Sequence, residues 1–183
     1  MIRVIAGQWR GRKLRTPDWT GLRPTSDRLR ETLFNILAPR LEGARVIDAY
    51  AGTGAVGIEA LSRGAAFVTF VEQDPRAATL IESNLRSLGI TNRYAIIRAG
   101  FAVAAERLAG PFDIVFLDPP YGAAALTDAL TAGAQLIAGP ALLVVEHATR
   151  DVAPEKTESL VRTRELTQGD SALAFYQSSK ADV

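Results

Sequence analysis

The chain has 183 residues, 48% hydrophobic and 22% charged, a balance that suits one good-sized globular domain with a small extension. It has no cysteine and one histidine, which excludes disulfides, thiolate metal sites, thiol nucleophiles and a histidine-rich metal centre. No apolar run approaches the roughly 18 residues that a membrane span needs, and the N-terminal apolar stretch is too short for a signal peptide, so a cytoplasmic protein is expected.

The net charge is only +1, yet it is unevenly placed. Residues 1–45 hold ten Lys and Arg against four Asp and Glu, an excess of six cations, which leaves an excess of five anions on the remainder. Nine of those ten cations are arginines, whose guanidinium fork matches phosphate bidentately. A basic head on an acidic body points to a polyanion partner; the plainer alternative is a solvated face. Within the head, residues 2–6 and 11–15 read as two short strands joined through Gln8-Trp9-Arg10. Thr25 or Ser26 can cap a helix whose stripe Leu29, Leu33, Phe34, Ile36 and Leu37 stops before Pro39, with Arg28 and Arg30 on its other faces. Trp9 could stack on a base or pack in the hairpin, and Trp19 reads as packing.

From Arg45 the pattern becomes strand–helix alternation, the signature of a parallel sheet covered on both faces. Strands are expected at Val46–Ala49, Ala66–Val71, Tyr94–Ile97, Phe112–Leu117 and Ala141–Glu146. The helices between them span Val56–Ser62, Pro75 to about Leu88 (capped by Asp74), Ala102–Leu108 and Ala124–Ala132. Ser159–Leu166 and Ala172–Gln177 then form an antiparallel hairpin around Thr167–Asp170. His147, just after the fifth of these strands, reads as a surface or cleft-edge residue without a catalytic role. A boundary near residue 43 divides a basic extension, residues 1–43, from the main domain, residues 44–183.

Two stretches carry chemistry. The first, Asp48-Ala49-Tyr50-Ala51-Gly52-Thr53-Gly54, follows a strand and opens a helix; with Gly57 it matches G-x-G-x-x-G, a pattern that lets backbone approach a ligand at a helix N-terminus. Glu72, at the next strand end, is placed to hold ribose hydroxyls. A nicotinamide dinucleotide is one reading, but Asp48 would repel a pyrophosphate and attract an ammonium or sulfonium. The second, Asp118-Pro119-Pro120-Tyr121, ends a buried strand with a carboxylate, carbonyls that no proline N–H accompanies and an aromatic ring, a set suited to a planar substrate with an exocyclic amine. Asp48, Glu72 and Asp118 would line one rim of the sheet; three carboxylates without further ligands are a poor metal site, and none is expected.

With both motifs, and with Arg3–Leu14, Leu22–Asn35 and Phe70–Asp74, the chain resembles the RsmD family, class I S-adenosylmethionine-dependent methyltransferases that modify N2 of a guanine in 16S ribosomal RNA. The resemblance implies an α/β, Rossmann-like fold with a seven-stranded, mostly parallel sheet. It implies S-adenosylmethionine bound by Asp48, Ala49, Tyr50, Ala51, Gly52, Thr53, Gly54, Glu72 and Gln73. Asp118 would accept an amine N–H, orient the lone pair and take the proton, because a carboxylate of ordinary pKa, about 3.9, cannot deprotonate an aromatic amine beforehand. Pro119 would take the second N–H, beside Pro120, and Tyr121 would stack on the base. RNA would meet Arg10, Arg12, Lys13, Arg15, Arg23, Arg28 and Arg30. The partner would be 16S RNA or the small ribosomal subunit particle, met by a monomer. One position departs: where related enzymes place Asp or Asn for the adenine amine, this chain has Gly100-Phe101, so the cofactor's adenine would be held there by backbone groups, water and the Phe101 ring. Rival readings are methylation of adenine N6 or of a protein glutamine, a non-catalytic assembly factor, and an NAD-dependent oxidoreductase.

Overall fold

The computed structural model describes residues 1–22 and 24–179, in two compact units that divide between Gly100 and Phe101. In the first unit β1 (Ile2–Arg3) and β2 (Lys13–Leu14) form a small antiparallel pair with Ile2 opposite Leu14. These strands are shorter than the β-branched runs suggest, because the intervening backbone bonds elsewhere. Ile5 and Ala6 donate to the Glu59 carboxylate at 2.8 and 2.9 Å, and Gln8 donates to the Ser62 carbonyl at 2.8 Å. Gly7 sits at φ 82° against that same carbonyl, which any β-carbon would strike.

Helix α1 (Asp27–Leu41) is capped by Ser26, whose hydroxyl accepts from Leu29 N–H at 3.2 Å. It does not stop before Pro39. It runs through Pro39 for another two residues and buries Leu41, whose apolar contact of about 1.5–3 kcal/mol opposes the proline cost. The carbonyl that Pro39 leaves without its N–H partner belongs to Asn35, an exposed residue open to water. Arg30 also departs from expectation. It lies on the buried stripe with Phe34, Leu37 and Leu41 rather than on a free face.

Strands β3 (Arg45–Ala49), β4 (Phe67–Val71) and β5 (Tyr94–Ile97) are parallel, with β4 in the middle. Helices α2 (Ala55–Ser62) and α3 (Pro75–Ser87) follow β3 and β4. All eight residues of α2 are buried, and Gly57 is required there, since a β-carbon would run into the ring of Phe70. Asp74 caps α3 through Arg76 N–H at 2.8 Å, with Pro75 at the first helical position.

The second unit holds α4 (Phe101–Arg107), β6 (Ile114–Leu117), α5 (Ala123–Ala134), β7 (Leu142–Ala148), β8 (Leu160–Gln168) and β9 (Ser171–Ser178). The β6–β7 pair is parallel, and β9 runs antiparallel between β7 and β8. The seven strands β3 to β9 make one mostly parallel sheet with a C-terminal antiparallel hairpin. Strand β7 is longer than its apolar run and takes in His147, which is 5% exposed and not a surface residue. Its Nδ1 lies 2.9 Å from the Ala148 carbonyl, and its Nε2 lies 3.3 Å from Glu165 without hydrogen-bond alignment. Among the described residues no helix is long and apolar enough to cross a membrane.

Candidate active site

The turn from β3 into α2 is shaped by three residues with positive φ: Tyr50 at 58°, Gly52 at 57° and Gly54 at 78°. A tyrosine in the left-handed region costs about 1–3 kcal/mol, and such residues gather where a loop must present its backbone. Gly54, the N-cap of α2, has no side chain to receive the helix's first N–H groups. Asp48 supplies that acceptor from the strand: its Oδ2 takes the Gly57 N–H at 2.8 Å, while the Thr53 hydroxyl takes Ala55 N–H at 3.3 Å. The helix N-terminus is thus capped from within. A pyrophosphate there would meet a carboxylate instead of free donors, so the glycine pattern does not make a dinucleotide site.

Asp48 is 2% exposed, and burial pushes its carboxyl up to about 8, the Gly57 N–H pulling it down and the Glu72 charge pushing it further up. A buried acid held near neutrality gains most from a ligand that brings positive charge. Glu72, one residue past β4, accepts Gly52 N–H at 2.9 Å through one oxygen and Asp74 N–H at 2.8 Å through the other. It therefore shapes the loop and α3 as well as offering lone pairs to a ligand. Ala49, Ala51 and Thr53 are buried, and Ala51 N–H bonds the Val71 carbonyl at 3.1 Å, tying the loop to the end of β4. A β-carbon on Gly100 would stand 3.4 Å from Gln73 Oε1. The amide of Gln73 thus reaches the place where a side chain at position 100 would begin. Phe101 is buried at the start of α4.

In the second unit Asp118 is half-buried one residue past β6, Pro119 is buried, and Pro120 and Tyr121 are exposed. Two groups absent from the sequence reading anchor this segment. The Arg150 guanidinium lies 5.4 Å from the Tyr121 ring centroid, and Asp151 Oδ2 accepts Gly122 N–H at 2.9 Å. Both belong to the turn after β7, which is itself held by Thr149 N–H on the Asp170 carbonyl and Asp151 N–H on the Ala148 carbonyl.

The basic residues separate into two kinds. Arg10, Arg12, Lys13, Arg15 and Arg28 are exposed, while Arg23 lies outside the described residues. Arg30 is 0% exposed; its Nη2 donates to the Arg3 carbonyl at 2.6 Å and to Asp27 at 3.0 Å. Burial holds its pKa below the usual arginine value, with the Glu59 and Asp27 charges opposing that shift. It is a packing residue and not an RNA contact. Glu59 is buried in α2, where Arg63 also bonds it at 2.7 Å. Trp9 and Trp19 are half-buried and lie under Arg93 and Arg76 respectively. The sequence pattern alone does not single out Glu59 or Asn84; the signal that marks them is a polar residue among the apolar buried positions of α2 and α3.

The family model described as Conserved hypothetical protein 95 matches residues 2–177. Ribosomal RNA small subunit methyltransferase D of Escherichia coli (strain K12) is 40% identical over 178 residues, covering 96% of this chain and 89% of its own. The chain belongs to the RsmD family. The enzyme of the same name from Haemophilus influenzae is 45% identical over 123 residues, covering 66% of this chain and 64% of its own. The solved structure of the Escherichia coli protein yhhF superposes with a TM-score of 0.87 at 35% identity, covering 98% of this chain and 99% of that one. The chain is accordingly an S-adenosylmethionine-dependent methyltransferase. The donor set of its first unit, a buried acid near neutrality and a second carboxylate beside a left-handed loop, fits a ligand carrying sulfonium, ammonium and ribose hydroxyls.

Proposed function

We propose that the enzyme methylates the exocyclic N2 of a guanine in 16S ribosomal RNA, met as RNA or within the small ribosomal subunit. In this reading residues 1–43 form the RNA-contacting head and residues 44–183 the catalytic domain. The observation that carries the proposal is the acceptor segment: a half-buried carboxylate at a strand end, a buried proline and a ring that is 48% exposed. The naming of relatives as ribosomal RNA small subunit methyltransferases supports RNA as the carrier of the amine. The choice of guanine N2 over adenine N6 rests on the family.

Asp48 and Glu72 would hold the donor, with Ala49, Tyr50, Ala51, Gly52, Thr53 and Gly54 forming the loop around it. Gln73 would serve the adenine amine in place of the side chain that Gly100 lacks, and Phe101 would add an apolar surface. When bound, S-adenosylmethionine supplies an electrophilic methyl group on a sulfonium. The acceptor nitrogen is weakly nucleophilic because its lone pair is delocalised into the ring. Asp118 accepts one of its N–H bonds, turns the lone pair out of conjugation and takes the proton as positive charge develops on nitrogen. The Pro119 carbonyl accepts the second N–H. Tyr121, braced by Arg150, stacks on the extruded base, so orientation supplies much of the acceleration. Asp118→Ala should lose methyl transfer to 16S RNA at least a hundredfold while binding S-adenosylhomocysteine within threefold of wild type. Transfer at the wild-type rate would remove Asp118 from the mechanism.

A further inference from the structure

Asn84 lies on α3, fully buried, and its side chain makes three hydrogen bonds, all to backbone. Its Oδ1 accepts Arg15 N–H at 2.7 Å, and its Nδ2 donates to the Arg15 carbonyl at 3.2 Å and to the Thr53 carbonyl at 3.0 Å. One amide therefore grips the basic segment on one side and the middle of the glycine loop on the other. The segment is laid along the same helix by exposed bonds, Arg15 Nη1 to Ser83 Oγ at 2.9 Å and Arg12 Nη2 to the Ser87 carbonyl at 2.9 Å. Further along the chain, a Leu22 methyl sits 2.9 Å from the place of a β-carbon on Gly52.

We infer that Asn84 couples RNA contact at Arg12–Arg15 to the order of the Gly52–Gly54 loop, so that RNA and the methyl donor each raise the protein's affinity for the other. This rests on the functional reading above, in which the segment meets RNA and the loop meets the donor. The exposed guanidinium bonds on α3 are weak and exchange readily for phosphate. The bond from Asn84 to the Thr53 carbonyl is buried and the two to Arg15 are part-buried, and each is tighter when the other two are made. Fixing the Arg15 backbone from outside thus fixes the amide plane of Asn84, and with it the Thr53 carbonyl and the peptide that follows. The Glu72–Gly52 bond holds the other side of that peptide pair. Coupling between two binding events is reciprocal by thermodynamic necessity, and couplings of about 5-fold to 150-fold are typical. A purely structural asparagine would affect stability and both affinities but would leave their ratio untouched.

The test measures S-adenosylhomocysteine affinity with and without saturating unmodified 16S RNA transcript, and RNA affinity with and without S-adenosylhomocysteine. Wild type should show the same gain of fivefold or more in both directions. Asn84→Ala should bind each ligand alone within a few fold of wild type, with the mutual gain reduced to about one. Because Asn84→Ala strips three backbone groups of a partner, one of them buried, hydrogen exchange on the wild type provides an independent reading. S-adenosylhomocysteine should slow exchange of the Arg15 amide, and RNA should slow exchange of the Gly54 amide. A wild type without mutual gain, a folded Asn84→Ala that keeps it, or an Arg15 amide indifferent to S-adenosylhomocysteine would each overturn the inference while both ligands still bind. Failure of either ligand to bind would overturn the functional reading itself, and the inference with it.

Discussion

Replacing Asp48 with asparagine should make the ligand-free protein more stable near neutral pH and a worse enzyme. The Asp48 carboxyl stands at about 8 in the fold against its ordinary 3.8. A raised acid stabilises the fold fully below its unfolded pKa, and that contribution is lost as pH rises toward the folded value. At about 1.4 kcal/mol per pH unit over the roughly three units between 3.8 and 7, holding the group costs the fold about 4 kcal/mol at pH 7 relative to acid. Asparagine keeps an oxygen for the Gly57 N–H and never ionises, but its NH2 enters a site built for a carboxyl oxygen, at about 1–3 kcal/mol. The balance leaves Asp48→Asn ahead by about 1–3 kcal/mol near pH 7, a rise of several degrees in Tm for a chain of this size, and behind wild type below pH 4. Thermal melts of both proteins from pH 4.5 to 8 isolate the group, because every other titration is common to the two. The same variant should bind S-adenosylmethionine at least tenfold more weakly, having no charge for the cation to meet. Melting curves separated by a constant offset across that pH range would refute the reasoning.

Binding of S-adenosylmethionine to wild type at pH 7 should release up to one proton, seen as a binding enthalpy that varies with the ionisation enthalpy of the buffer; Asp48→Asn should show no such variation. Glu59→Ala should cost about 3–5 kcal/mol in urea denaturation, because it strips the Ile5 and Ala6 N–H groups of their acceptor and leaves buried Arg30 with less countercharge. A loss under 1 kcal/mol would contradict the hub assigned to Glu59. Arg10→Ala and Lys13→Ala should each lower the slope of log K for RNA against log salt by about one, whereas Arg30→Met should reduce stability and leave the slope unchanged. Arg150→Ala should raise the RNA KM by about two- to fivefold, the worth of an exposed cation–π contact, without changing the KM for S-adenosylmethionine.

The alternating architecture was legible because each parallel strand is a short apolar run closed by a glycine, proline or capping residue. Tyr94–Ile97 has the bounds its pattern gives, and Ser26 and Asp74 cap their helices as their chemistry requires. The glycine loop and the Asp118–Tyr121 segment stand out in the sequence as strand ends, and they lie at the ends of β3 and β6. Tertiary facts were not. Arg30 is spaced with Phe34, Leu37 and Leu41, so its burial lies in the helical pattern, but its partners Arg3 and Glu59 lie 27 residues before it and 29 after. A charged residue is placed on the surface by default until such partners are known. Asp48 stands out in the sequence as a carboxylate beneath a glycine loop, yet its capping of α2 across that loop follows only from the position of Gly57. His147 went astray because β7 continues two residues past its apolar run, held by β9 pairing. The bracing of Tyr121 and Gly122 by Arg150 and Asp151 spans 29 residues in each pair and has no local signature.

The central claim is tested most directly by methyl transfer itself. Labelled S-adenosylmethionine is incubated with the enzyme and unmodified 16S RNA, free and assembled into small subunits, and the RNA is digested to nucleosides. Label should appear in N2-methylguanosine and be lost with Asp118→Ala. Label in N6-methyladenosine, in protein glutamine, or in no product from either form of the RNA would contradict it.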